Sequence, residues 1–202
     1  RLLVSERAGV PVSALLTDPG AELRIEGLEQ DVERLADGVP LQYVVGTAEF
    51  YGRRFAVREG VLIPRPETEE LVDRIVRSER GAQRGSSQQA GEASGTLRIL
   101  DIGTGSGCIA ASLALELPEA EVFAAEIADE ALTVAEENFR RLGARVTLRR
   151  ADALQELKAQ FPEPFDLIVS NPPYVPESDR AAMHPNVRDH EPGVALFVPD
   201  DD

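Results

Sequence analysis

The chain has 202 residues, 43% of them hydrophobic, which is enough for one buried core and a small appendage. Its formal net charge of −15 argues against nucleic acid as a direct partner, because nucleic-acid-binding proteins usually present a basic face to the phosphates. The single cysteine, Cys108, excludes a disulfide framework within the chain. Since the sequence has no long apolar run, we expect a cytoplasmic protein without a membrane partner. We also expect it to be a monomer.

The first segment, residues 1–38, has apolar residues at helical spacing and predicts several short helices. Leu28, Val32 and Leu35 form one such set. Helical pieces of this size bury too little surface to fold alone. Because the chain begins at Arg1 and stops in a polar run, we expect a fragment cut at both ends.

Residues 39–66 are rich in Val, Tyr and Phe with interspersed glycines, and this composition predicts a β-hairpin linker. Pro64 and Pro66 stop any strand there, because proline cannot donate to a β-ladder. The three glutamates within residues 67–70 suit the positive end of a helix dipole. We therefore expect a helix to begin here and the main domain to occupy residues 67–202.

Residues 80–95 have almost no apolar side chains and predict a mobile surface loop. Short apolar strands then alternate with helices, in the order LRILDIG, IAASLALEL, EVFAAEI, DEALTVAEENFRRL, RVTLRRAD and FDLIVSNPPY. This alternation predicts an α/β fold, a Rossmann-like parallel sheet with helices on both faces. The ligands of such sheets bind beyond the carboxyl ends of the strands.

A glycine-rich turn follows the first of these strands and consists of Gly103, Thr104, Gly105, Ser106 and Gly107. Glycine permits a close approach of the backbone to a ligand, and the helix that follows offers free N–H groups. A dinucleotide fold would place its third glycine one residue later, where this chain has Cys108. The spacing GxGxG after the acidic Asp101 instead resembles the first motif of class I S-adenosylmethionine methyltransferases. A purely structural glycine turn is the alternative.

Glu126 ends the second strand of the pattern, at about the 20-residue spacing at which such folds bind a ribose. A carboxylate at this point can accept hydrogen bonds from both ribose hydroxyls. The alternative is a solvated acid at a strand end, but the preceding glycine turn favours the ribose role.

The most specific motif is the turn formed by Asn171, Pro172, Pro173 and Tyr174, directly after an apolar strand. Two prolines cannot continue a ladder, so the chain must turn out at the ligand-binding edge of the sheet. A planar amide or amine nitrogen has two N–H groups that need acceptors when they leave water. The Asn171 oxygen and the Pro172 carbonyl can accept one each and aim the nitrogen at a methyl donor, while Tyr174 can stack on the flat group. This scheme needs no metal and no titratable base; an ordinary proline turn is the alternative.

Four segments together resemble the protein-(glutamine-N5) methyltransferases of peptide chain release factors, the HemK/PrmC type: PLQYVVGTAEFYG, GVLIPRPETEELV, LDIGTGSGCIA and VSNPPYVPESD. The resemblance covers roughly residues 1–200. It implies a substrate-docking helical domain at residues 1–38 that lacks its start, and the hairpin linker at residues 39–66. It also implies a class I methyltransferase domain at residues 67–202 that lacks its last strands.

The resemblance implies a role for each residue of the site. The substrate is the glutamine of a Gly-Gly-Gln motif in the release factor, bound by Asn171, Pro172, Pro173 and Tyr174, with Asn171, Pro172 and Tyr174 as catalytic residues. S-adenosyl-L-methionine, with S-adenosyl-L-homocysteine as product, is bound by Asp101, Gly103, Thr104, Gly105, Ser106, Gly107, Glu126, Asp152, Ala153 and Asn171. Asp152 can equally serve as the N-cap of a following helix. The family more often has Asp in place of Glu126, so the carboxylate here has a longer arm.

Two other functions compete with this interpretation. An adenine-N6 DNA or guanine-N2 RNA methyltransferase uses a closely related Asn-Pro-Pro-aromatic turn, but the net charge and the lack of a basic, aromatic-rich recognition domain argue against it. The other is a non-catalytic nucleotide-binding module, which has no need of two acceptors that face an amine.

Overall fold

The computed structural model describes residues 1–18, 22–86 and 95–200, with the backbone alone for residues 82–86. Its N-terminal part contains four short helices, α1 (Leu2–Ala8), α2 (Val12–Thr17), α3 (Leu28–Ala36) and α4 (Leu41–Val45). The first three agree with the predicted helical pieces, whereas α4 lies where only β structure was predicted. Pro40 is the N-cap residue of α4, and Gly46 ends the helix with a φ of +80°. These two residues define both ends of this short helix. Its apolar side chains share a small core with Leu3 and Val57.

Polar contacts attach these helices to one another and to the linker. The guanidinium of Arg7 donates to both carboxylate oxygens of Asp31, at 2.6 and 2.9 Å, and to the Val44 carbonyl at 2.9 Å. Hydrogen bonding by Arg7 holds the pKa of Asp31 below its usual range. The buried Tyr43 hydroxyl donates to the Val61 carbonyl at 2.6 Å. The helical part is therefore fixed directly to the chain segment around residue 61.

The predicted hairpin is present and consists of β1 (Thr47–Phe50) and β2 (Arg53–Ala56), which pair antiparallel. Phe50 and Phe55 are 1% and 0% exposed and belong to the main core. Asn138 holds the end of the hairpin, because its Oδ1 accepts from the Ala56 N–H at 2.7 Å and its Nδ2 donates to the Ala56 carbonyl at 3.0 Å.

The next element is α5 (Pro66–Ser86), which starts at the proline and acidic residues that predicted it. The prediction of a loop at residues 80–95 is wrong for residues 80–86, which are helical. Ala, Gln and Arg in this stretch favour helix even though no apolar stripe continues there. The remainder of the predicted loop, residues 87–94, lies outside the described residues.

The main sheet has four parallel strands in the order β5–β4–β3–β6. The strands are β3 (Arg98–Ile102), β4 (Glu121–Glu126), β5 (Val146–Arg150) and β6 (Leu167–Ser170). The connections contain α6 (Cys108–Glu116), α7 (Asp129–Leu142) and α8 (Leu157–Gln160). This arrangement confirms the predicted α/β fold with a Rossmann-like sheet.

Successive residues of the central strand β3 face opposite sides of the sheet, as the pleat requires. Ile99 belongs to the large core, which includes apolar side chains of α5, α6 and α7. Leu100 belongs to a second core with Phe161 and the partly buried Leu157 of α8. Both faces of the sheet are thus covered, which explains why the middle of its central strands β3 and β4 is mostly apolar.

The chain beyond β6 folds back on itself through a second small sheet. β7 (Val175–Pro176) pairs in parallel with β8 (Phe197–Val198), and a 3₁₀ turn (Glu177–Ala182), α9 (Pro185–Arg188) and a second 3₁₀ turn (Gly193–Ala195) lie between them. The Val175 N–H donates to the Leu196 carbonyl at 3.0 Å. This pairing places the second 3₁₀ turn close to the end of the Asn171–Tyr174 turn.

Candidate active site

A cavity of about 270 Å³ opens beyond the carboxyl ends of β3, β4, β5 and β6, and its walls are mostly apolar. This volume lies near the lower end of ligand pockets, which span roughly 300–1,000 Å³. Most of the predicted site residues line it: Gly103, Thr104, Gly105, Ser106, Glu126, Asp152, Ala153, Asn171, Pro172 and Pro173. Asp101, Gly107 and Tyr174 are not among its lining residues.

The glycine turn reverses the chain at the end of β3. The Gly103 and Thr104 N–H groups both donate to the Ala125 carbonyl, at 2.9 and 3.1 Å, so the turn is pinned to β4. Gly105 has a φ of +57°, and a Cβ added there would meet nothing within 4 Å. At this point the backbone borders open space on the cavity side, which allows a ligand to approach it closely.

Asp101 supports the turn from beneath. It is fully buried, and its Oδ2 accepts from the Thr104 hydroxyl at 2.6 Å and from the Ala110 N–H at 3.2 Å. Its Oδ1 has no hydrogen-bond partner among the described residues. Burial raises the pKa of Asp101 to about 7. Asp101 thus links the turn to α6 and belongs to the layer below the cavity wall.

Glu126 presents a largely buried carboxylate at the cavity, 8% exposed. Its Oε2 accepts from the Gly105 N–H at 2.9 Å, and its Oε1 accepts from the N–H groups of Ile127 and Ala128 at 2.8 and 3.0 Å. A carboxylate offers about four lone-pair positions, so these backbone groups occupy three of them. Glu126 can therefore accept hydrogen bonds from two ribose hydroxyls only if one of the three backbone N–H groups gives up its hydrogen bond.

Asp152 lies just beyond β5, where it lines the cavity and also makes local turn contacts. Its Oδ1 accepts from the Leu154 N–H at 2.8 Å, and its own N–H donates to Glu156 at 2.9 Å. These are local turn contacts of the kind that the capping alternative predicted, although α8 itself has Glu156 at its N-cap position. Ala153, beside Asp152, is exposed and also lines the cavity.

The Asn-Pro-Pro-Tyr turn leaves β6 at the edge of the cavity, as its prolines predict. Asn171 and Pro173 are partly buried, and Pro172 is exposed. Tyr174 points largely into solvent, with 73% of its surface exposed. The turn thus brings Asn171 and both prolines to the cavity and leaves the aromatic ring free outside it.

Sequence reasoning did not predict two further walls of the cavity. The first is the linker wall, residues 60–65, and the second is the C-terminal wall, which consists of Pro192, Val194 and Ala195. The family resemblance rests in part on the segment GVLIPRPETEELV, residues 60–72, but hairpin composition gave no sign that it borders a ligand. Residues 192–195 have the composition of an ordinary surface turn, so no sequence signal distinguishes them.

Asn138, which sequence reasoning also missed, joins the linker to the glycine turn. Its fully buried Nδ2 donates to the Ser106 carbonyl at 2.9 Å in addition to its two contacts with Ala56. Within α7 the residue resembles any polar helix position, and only the tertiary structure shows what it contacts.

Among the described residues, no group of three or more His, Cys, Asp or Glu side chains is arranged to hold a metal ion. Over the same part of the chain, none of the helices combines the length and the apolar character that crossing a membrane requires.

Comparison with known proteins identifies sequence relatives of this chain. The family described as Methyltransferase small domain matches residues 88–187. The release factor glutamine methyltransferase of Bacteroides thetaiotaomicron is 50% identical over 175 residues, which cover 87% of this chain and 58% of that protein. The protein of the same name from Bacillus subtilis is 42% identical over 184 residues, which cover 91% of this chain and 60% of that protein. The structure of an S-adenosylmethionine-dependent methyltransferase from Agrobacterium tumefaciens aligns with a TM-score of 0.47 and 18% identity, over 63% of this chain and 39% of that one.

The parallel sheet, the glycine turn at its carboxyl edge and the matched domain define a methyltransferase domain of the Rossmann-like class. At 42–50% identity over most of its length, the chain is similar to the release factor glutamine methyltransferases, which confirms the resemblance seen in its sequence. It spans 58–60% of the length of these two relatives.

Proposed function

We propose that this protein transfers a methyl group from S-adenosylmethionine to the side-chain amide nitrogen, N5, of the glutamine in the Gly-Gly-Gln motif of a peptide chain release factor. One observation carries the proposal: a single cavity collects the glycine turn, the carboxylate of Glu126 and the start of the Asn171–Tyr174 turn. In this proposal, the edge that binds the methyl donor lies beside two acceptors for the planar nitrogen of the substrate.

The lining residues fit S-adenosylmethionine, which supplies an electrophilic methyl group on a sulfonium sulfur. The backbone at Gly105 is open toward a ligand, and Glu126 offers a charged acceptor for ribose hydroxyls. Asp152 and Ala153 border the cavity beyond β5, next to largely apolar walls that suit a flat adenine ring. Asp101, Thr104 and Gly107 would then act by holding the turn in shape.

The substrate amide would be held by Asn171 and Pro172. The Asn171 oxygen and the Pro172 carbonyl each accept one N–H of the amide, which satisfies both donors away from water and fixes the direction of the nitrogen lone pair. After transfer the nitrogen is strongly acidic, so its proton can leave to solvent and no dedicated base is needed. Tyr174 lies at the rim with its ring exposed, where it is free to stack on the arriving glutamine group.

Mass spectrometry of a purified release factor, incubated with the enzyme and S-adenosylmethionine, tests this function. We expect one added methyl group on the Gly-Gly-Gln glutamine and none on a release factor in which that glutamine is replaced by alanine. Parallel reactions with DNA and RNA test the competing substrates, and the net charge of −15 leads us to expect no transfer to them. Methyl label in nucleic acid together with an unmodified release factor would overturn the proposed substrate.

Glu126→Gln should weaken the binding of S-adenosylmethionine by about 10- to 100-fold, because a charge-assisted hydrogen bond contributes roughly 1.5–3 kcal/mol. The amide keeps the size of the side chain but loses the charge, and its NH₂ group faces backbone N–H donors. Titration calorimetry of the two proteins measures the difference. Glu121→Gln is the matched control, since Glu121 starts the same strand, pairs with Arg98 and lies far from the cavity. Equal affinity of the Glu126 variant and the unaltered enzyme would remove Glu126 from the site.

A further inference from the structure

Glu191 is a buried carboxylate with no role in the chemistry described so far. Its side chain is 1% exposed. Its Oε1 accepts from the Arg65 guanidinium at 2.8 Å, and its Oε2 accepts from the Ile63 N–H at 3.2 Å. Both partners belong to the linker wall of the cavity, whereas Glu191 directly precedes the C-terminal wall. One side chain therefore joins two walls that are more than 120 residues apart in the chain.

The same residue is also connected to the turn that would hold the substrate. From Glu191 the chain passes through the second 3₁₀ turn to Leu196, whose carbonyl accepts from the Val175 N–H at 3.0 Å. Val175 immediately follows Tyr174. The position of the linker wall is thus coupled, through Glu191 and a short ordered segment, to the position of the Asn171–Tyr174 turn.

The chemical nature of this contact favours a role in geometry over a role in stability. A carboxylate loses its hydration when it is buried, and an apolar side chain of similar size could often fill the same space at no loss of stability. What the carboxylate adds is direction, because it accepts from one backbone N–H and one guanidinium at fixed positions. An apolar residue would cover the same surface without fixing residue 63 relative to residue 191.

We propose that Glu191 is a positioning residue. During methyl transfer it holds the linker wall at a fixed position relative to the Asn171–Tyr174 turn on the other side of the cavity. The inference rests on the proposed function and deepens it. Glu191 contacts neither reactant. It acts through Ile63, Arg65 and the C-terminal wall, which border the space where donor and amide must meet.

Glu191→Gln is the test, because it preserves volume and one acceptor but removes the charge and turns a donor toward Ile63 or Arg65. We expect kcat for methylation of the release factor to fall by roughly 10- to 100-fold, since displacement of a reactant by about 1 Å has effects of this size. We also expect the Ile63 amide hydrogen to exchange faster with solvent. All rates are measured well below the unfolding midpoint of the variant.

Glu59→Gln is the matched control. Glu59 lies on the same linker and pairs with Arg34 at 3.3 Å, but its side chain is 63% exposed and does not line the cavity. Its substitution should change neither kcat nor the exchange of Ile63. If Glu191→Gln lowered the unfolding midpoint but left kcat, KM and Ile63 exchange at the values of the unaltered enzyme, the role would be structural only and the proposal would be wrong.

Arg65→Gln keeps the test decisive if Glu191→Gln does not fold. It removes one of the two contacts and leaves the bond to Ile63, so we expect a smaller loss of kcat and a smaller rise in exchange. Unchanged kcat and exchange would overturn the proposal. If the unaltered enzyme itself did not methylate a release factor, the proposed function would fail separately. The role of Glu191 would then be tested by two other measurements on Glu191→Gln. We expect faster exchange of the Ile63 amide hydrogen and a weaker affinity for S-adenosylmethionine in calorimetry.

Discussion

Asn171→Ala should reduce kcat for glutamine methylation by roughly 10²- to 10³-fold while S-adenosylmethionine still binds. The structure places Asn171 at the cavity, partly buried, at the first position of the turn. Without its oxygen one amide N–H of the substrate is left unsatisfied and the nitrogen is no longer aimed at the methyl group. The loss should therefore appear in turnover more than in the affinity for the donor.

Two further variants sharpen this experiment. Asn171→Asp keeps an acceptor at the same distance and should retain measurable activity, which separates hydrogen bonding from packing. Asn186→Ala makes the same chemical change at a partly buried asparagine outside the cavity and should leave kcat unaltered. Initial rates by mass spectrometry, paired with calorimetry, give both quantities. Turnover by Asn171→Ala equal to that of the unaltered enzyme would remove the residue from catalysis.

The parts of the fold that follow from local pattern were predictable from the sequence. The alternation of apolar strands with helices after residue 96 predicts the parallel sheet, because helices between successive strands cover both faces of such a sheet. The glycine turn and the Asn-Pro-Pro-Tyr turn each directly follow a strand, so both had to lie at the same edge. Their meeting in one cavity is a consequence of topology.

The remaining walls of the cavity depend on contacts between distant segments, which local pattern does not encode. Glu191 has the sequence context of a surface acid, but its side chain is buried and bonded to Ile63 and Arg65, which are distant in the chain. The helix α4 was missed for a related reason. Val and Tyr favour strands, but Pro40 and Gly46 close a single helical turn whose apolar side chains find a core with the N-terminal helices.

The three glycines of the turn look alike in the sequence, yet the structure assigns them different constraints. Gly107 has a φ of +79°, and a Cβ added there would lie 2.6 and 2.8 Å from ring atoms of Phe139 and 3.3 Å from the Ala135 methyl. Both neighbours belong to α7, so the missing side chain is what allows the start of α6 to pack against that helix. Gly105, in contrast, faces open space.

Gly107→Ala should therefore destabilise the fold by about 2–5 kcal/mol, the sum of about 1–2 kcal/mol for the left-handed backbone and about 1–3 kcal/mol for overpacking. Urea unfolding of the purified variant measures the free energy. Gly143→Ala is the matched control, because Gly143 has a φ of +69° but nothing within 4 Å of its Cβ, and it should lose only the backbone part. Adding Phe139→Leu to Gly107→Ala should recover part of the overpacking loss, so the double variant should be more stable than the sum of the single changes predicts. Equal losses for Gly107→Ala and Gly143→Ala would show that α7 yields to the new methyl group and that close packing does not require glycine here.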